Sequence, residues 1–134
     1  RVSRAVKVIG MPLTQQQCAD ALRGLGLQVV EGQGISWHGL PITDGAAPDQ
    51  RLLERWPVLG SMLVRSLHSG LRIVVHCKGG LGRAGTVAAM LLLQSGAERT
   101  AQAAIGSVRR VRPGAIETAV QEDFLQQWAQ GLRS

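Results

Sequence analysis

A chain of 134 residues that is 45% apolar and 18% charged, with 17 Gly and 5 Pro, has the balance of one globular domain spanning residues 1–134. No apolar run approaches the roughly 20 residues needed to cross a bilayer, two cysteines are too few for a disulfide framework, and no Cys/His spacing marks a metal site, so neither metal nor other cofactor is expected. The 15 Lys+Arg against 9 Asp+Glu leave a net charge of +6, which favours anionic ligands, while aromatics at 3% and the lack of Tyr argue against a base-stacking surface for nucleic acid.

The sequence begins at Arg1 rather than Met, which leaves a trimmed start and a natural one near Met11 both open. Without a basic-then-apolar leader the expectation is a cytoplasmic protein with no membrane partner; a monomer is expected as well. Residues 6–9 predict a short strand. Thr14-Gln15-Gln16-Gln17 has capping-box spacing and opens a helix that places Cys18, Ala21, Leu22 and Leu25 on one face, so Cys18 reads as a core residue. Leu27–Val30 and Ile35–Leu40 read as strands around a Gly-rich turn. Residues 41–49 are too rich in Gly and Pro to be regular.

A helix is predicted from about Pro48 to Ser69, with Leu52, Leu53, Trp56, Leu59, Leu63 and Leu67 inward and Pro57 kinking it or splitting it in two. The β-branched run Leu71–His76 reads as a central strand covered on both faces. It ends at Cys77. The run Val87, Ala88, Met90, Leu91, Leu92, Leu93 is apolar nearly all round, as a buried helix should be. Two further helices follow: about 98–110, with Ala101, Ala104, Ile105 and Val108 inward, and about 116–131, with Val120, Phe124 and Trp128 inward.

The chemistry concentrates in His76-Cys77-Lys78-Gly79-Gly80-Leu81-Gly82-Arg83-Ala84-Gly85-Thr86, between the buried strand and the buried helix. Gly80 to Gly85 matches G-x-G-x-x-G, but no second parallel strand with a terminal acid follows, as a dinucleotide fold requires. A phosphate-binding Walker loop fails as well, because no Lys precedes Thr86. The remaining reading is C-x5-R. Cys77 and Arg83 stand at the two ends of a loop (Lys78, Gly79, Gly80, Leu81, Gly82) whose backbone N–H groups face inward at a helix N-terminus, where the dipole favours an anion. Arg83 can grip two phosphate oxygens bidentately. The same field favours the Cys77 thiolate and so prepares a nucleophile. His76 reads as an orienting residue for the loop. Sulfur or arsenate chemistry on a similar loop would want a resolving thiol near Cys77, and Cys18 is expected to face the core.

This stretch resembles the signature loop of cysteine-dependent protein tyrosine phosphatases, most closely the kinase-associated branch of the dual-specificity phosphatases, which carry a similar H-C-x-G-G-L-G-R run. Pro41-Ile42-Thr43-Asp44-Gly45 resembles that branch's general-acid loop, and Gly114-Ala115-Ile116-Glu117-Thr118 through Gln121 resembles the segment that positions the hydrolytic water. The similarity covers roughly residues 36–128. It implies an α/β fold with a central, mainly parallel sheet flanked by helices. The implied reaction hydrolyses phosphate monoesters of proteins or other substrates through a phosphocysteine on Cys77, with Asp44 as general acid and then base. Asp49, beside Pro48, reads instead as a charge at a helix N-terminus. Two departures bear on turnover: Ala84 stands where the family has a Ser or Thr hydroxyl, and Glu117 where it has its first water-positioning Gln. The alternative function is therefore a catalytically weak phosphate-binding or scaffolding module. Arg109, Arg110 and Arg112 read as a solvated basic helix end, with an acidic-substrate rim as the other option.

Overall fold

The computed structural model describes residues 6–11, 35–39, 42, 46–70, 72–77 and 82–132. In chain order these form β1 (Val6–Met11), β2 (Ile35–Gly39), α1 (Gln50–His68), β3 (Arg72–Cys77), α2 (Gly82–Ser95), α3 (Ala101–Val111) and α4 (Ala119–Leu132). The three strands make one parallel sheet in the order β2-β1-β3, with Val8 aligned on Trp37 and Val74, and Met11 on Cys77. Among the described strands the middle place belongs to β1. The strand ending at Cys77 pairs beside it, and α1 and α2 both pack against β3, in line with the cover that its apolar run predicts. The predicted helix beginning at Thr14, the strand Leu27–Val30 and Cys18 lie outside the described residues.

Helix α1 starts where the carboxylate of Asp49 accepts from the Arg51 N–H at 3.0 Å, so Asp49, expected as a charge at the helix N-terminus, is its N-cap. Pro57 lies inside the helix without splitting it. The missing N–H removes one helical hydrogen bond, but Leu52 and Trp56 before it and Leu59 and Leu63 after it are all buried on one stripe. Packing thus holds the two halves together, while Leu53 and Leu67 are only partly buried. Trp56 lies over Gly60, where a Cβ would come within 2.8 Å of the indole. It meets Trp128 of α4 edge to face at 6.1 Å, and Phe124 stacks on Trp128 at 6.5 Å. Gly70 and Gly96, each at positive φ, take the chain out of α1 and α2 through the left-handed conformation that a side chain resists.

Helix α2 is the hub of the fold. It packs on α1, α3, α4 and β3, and Val87, Ala89, Met90, Leu91 and Leu93 are all buried, as its nearly continuous apolar run required. Helix α3 begins behind the Thr100 cap and buries Ala101, Ala104 and Ile105, with Val108 partly covered. The last helix departs from expectation by one position. Val120 is 59% exposed, and the fully covered stripe is Gln121, Leu125 and Ala129. Phe124 and Trp128 are partly buried beside it. The cause is polar: Gln121 turns inward to hydrogen-bond backbone, and the i, i+4, i+8 stripe follows it.

Candidate active site

The site is assembled at the C-terminal end of β3 and the N-terminal end of α2. Cys77 is the last residue of β3 and His76 precedes it, so the sequence of strand, glycine-rich loop and helix is as the motif requires. The side chains of His76 and Cys77, together with Lys78, Gly79, Gly80, Leu81 and Asp44, lie outside the described residues. Gly82 and Arg83 open α2, and both are buried. No acidic residue occupies the helix's first turn, so the positive end of the helix dipole and its orphan N–H groups are not neutralised from within it.

Arg83 is only 4% exposed and donates from Nη1 to the carbonyl oxygen of Ile42 at 3.4 Å. Ile42 is itself buried and stands two residues before Asp44. On the other side of Asp44, the Ala46 carbonyl accepts from Gln121 Nε2 at 3.0 Å. The two flanks of the segment carrying Asp44 are therefore tied to residues that open α2 and face its N-terminal end. These contacts span separations of 41 and 75 residues in the chain.

Gln121 is fully buried, and its other amide atom is occupied too. Oε1 accepts from the backbone N–H of Glu117 at 3.0 Å and of Thr118 at 3.2 Å, and the Thr118 hydroxyl in turn accepts from the Gln121 N–H. Burying an amide is tolerated only with such partners. Gly82 fits beneath this arrangement: a Cβ there would lie 2.7 Å from Glu117 Oε1 and 3.1 Å from each terminal amide atom of Gln121. The exposed carboxylate of Glu117 is thus brought over the start of α2 alongside Gln121.

Ala84 is buried at 5% and offers no hydroxyl. Thr86 is near enough in sequence to be considered in its place, but its Oγ1 donates to the Gly82 carbonyl at 2.8 Å and is buried. Gly85 meets the segment that follows α3. A Cβ on it would fall 3.1 Å from Ala115 Cβ and from the Ile116 nitrogen.

Arg109 is the residue that the sequence misplaced. Instead of ending a helix in solvent, it donates from Nε to the Ala115 carbonyl at 2.9 Å and from Nη2 to the Ile116 carbonyl at 2.8 Å, and pairs with Glu122 at 2.7 Å. In the linear sequence it shares the only available signal, a place at the basic end of a helix before a Gly turn, with its neighbours. Arg110 and Arg112 are exposed.

Comparison with known proteins agrees with this geometry. The sequence profile described as Swiss Army Knife protein, DSP-PTPase phosphatase domain, matches residues 23–125. Cyclin-dependent kinase inhibitor 3 of Rattus norvegicus is 37% identical over 107 residues, 79% of this chain and 49% of that protein. Protein tyrosine phosphatase PRL-1 of Leishmania major is 37% identical over 93 residues, 66% of this chain and 53% of that protein. The chain thus spans about half the length of these curated relatives. The crystal structure of kinase associated phosphatase with its catalytic-site cysteine replaced by serine superposes with a TM-score of 0.69 at 29% identity, covering 99% of this chain and 72% of that one. Tk-PTP in its active form also gives 0.69, at 26% identity, over 96% and 80% of the respective chains. With the strand–loop–helix at Cys77 to Arg83, the α/β architecture and a profile covering most of its length, the chain belongs to the DSP-PTPase family, the dual-specificity and protein tyrosine phosphatases.

Proposed function

We propose that this protein is a cysteine-dependent phosphatase hydrolysing phosphate monoesters, phosphotyrosine and phosphoserine or phosphothreonine of proteins among them. One observation carries the reading: Arg83 and Gln121 hold the two sides of the Asp44 segment by the Ile42 and Ala46 carbonyls. Three stretches far apart in sequence, each matching a working part of the family, thereby meet at one helix N-terminus.

In the first step the Cys77 sulfur attacks phosphorus. The bond to the leaving oxygen breaks, and Asp44 gives that oxygen its proton. The main-chain N–H groups of Lys78 to Gly82, the Arg83 guanidinium and the end of the helix dipole stabilise the phosphoryl oxygens. His76 orients the loop. In the second step water attacks the phosphocysteine, its proton passes to Asp44, and the electron pair of the S–P bond returns to Cys77. Glu117 and Gln121 support this step from above Gly82. On this reading residues 1–134 act as one domain with a mainly parallel sheet, as a monomer in the cytoplasm, using no cofactor and taking neither nucleic acid nor membrane as partner.

A second reading, a catalytically weak phosphate-binding module, is favoured by a specific feature. Ala84 lacks the hydroxyl that assists the second step, and Thr86 has its own committed to Gly82. Pre-steady-state release of p-nitrophenol separates the two. A burst followed by slower turnover, absent in Cys77→Ser, supports the enzyme with a slow second step; no release above that variant supports the binding module. Asp44→Asn should lower kcat about 10²- to 10⁴-fold on phenyl phosphates with poor leaving groups, and far less where the leaving group needs no proton. Equal losses on both substrates would remove Asp44 as the acid.

A further inference from the structure

We propose that Arg109 is a positioning residue for the second half of the reaction, holding Ile116 in a left-handed turn so that Glu117 and Gln121 are presented to the start of α2. The inference rests on the phosphatase reading above. Among the described residues Ile116 is the one non-glycine at positive φ, 61°. A β-branched residue rarely adopts that conformation, and it persists only where surrounding contacts over-determine it.

Two sets of contacts do so. The Ile116 side chain is 1% exposed and wedged against Gly85, where a Cβ would stand 3.2 Å from its Cγ1. Its carbonyl and that of Ala115 are taken together by the Arg109 fork, which Glu122 anchors to α4. The next two N–H groups, those of Glu117 and Thr118, then converge on Gln121 Oε1.

If Ile116 relaxed to negative φ, the peptide that follows would rotate and the Glu117 N–H would leave Gln121. The pair over Gly82 would lose its shared anchor. Arg109 acts only through these backbone groups. Its planar fork serves two carbonyls and a carboxylate at once, which a lysine ammonium cannot reproduce.

The test measures phosphoenzyme formation and decay separately, by quenched flow with p-nitrophenyl phosphate, in wild type, Arg109→Met, Arg109→Lys and Glu122→Gln. It also follows amide hydrogen exchange at Glu117 and Thr118. In Arg109→Met decay should slow at least tenfold while formation changes less than about threefold, and both amides should lose protection. Arg109→Lys should resemble it. Glu122→Gln, which keeps the fork and loses only the charge of its anchor, should slow decay a few-fold, and it carries the test if Arg109→Met does not fold.

Decay at the wild-type rate, equal loss of both steps, or unchanged protection would overturn the proposal. Absence of Cys77-dependent release in the wild type would instead refute the phosphatase reading on which it rests, and protection of the two amides would still report whether Arg109 holds the turn.

Discussion

Replacing Gln121 with Leu removes three hydrogen bonds and little volume, so it isolates the contribution of the buried amide. The wild-type side chain is fully buried and bonds the N–H groups of Glu117 and Thr118 and the carbonyl of Ala46 at 3.0, 3.2 and 3.0 Å. Each such bond contributes about 1 kcal/mol net, and a partner left dry costs more. Counting only the net figure for each of the three bonds gives a lower bound. The expected loss is about 3 kcal/mol, a large share of the roughly 5–15 kcal/mol that holds a domain folded. Unfolding entropy of about 2.1 cal/mol/K per residue then gives a fall in Tm of about 10 °C for a domain of this size. Thermal unfolding followed by circular dichroism reads it directly. A fall under about 3 °C would mean that Gln121 is not the tie between the Asp44 segment and α4.

Gly85→Ala should destabilise despite the better helix propensity of Ala, worth up to about 1 kcal/mol. The new methyl meets Ala115 and the Ile116 backbone at 3.1 Å, and such overpacking costs about 1–3 kcal/mol; a higher urea midpoint would refute the close contact. Arg83→Lys should weaken vanadate binding at least tenfold in calorimetry, because a point charge replaces a planar fork. Unchanged affinity would remove Arg83 from the anion site. The carboxyl of Asp49 is held below the usual carboxylate range chiefly by its hydrogen bond from the Arg51 side chain. Its contribution is therefore complete above the unfolded-state value and fades as pH falls through the lower folded one. Asp49→Ala should lower Tm at neutral pH and converge on wild type in strong acid; a constant difference at every pH would dismiss the charge.

Local chemistry decided much of this protein in one dimension. The run Val87 to Leu93 could only be a buried helix, and it is. Asp49 beside Pro48 read as a charge at a helix N-terminus, and it stands there, as the cap. The run Leu71 to His76 and the apolar run after Thr86 placed a strand end at Cys77 and a helix start at Gly82, on the two sides of the motif, and both are found there. Tertiary structure settled what depends on partners distant in the chain. Pro57 stays within one helix because buried neighbours on both sides outweigh one lost hydrogen bond. The buried face of α4 shifts from Val120 to Gln121 because a polar side chain found three backbone partners, which no hydrophobic period can register. Arg109 looked like a solvated helix end because the Ala115 and Ile116 carbonyls reach it only after the chain turns back, at a residue whose left-handed conformation the sequence gives no reason to expect.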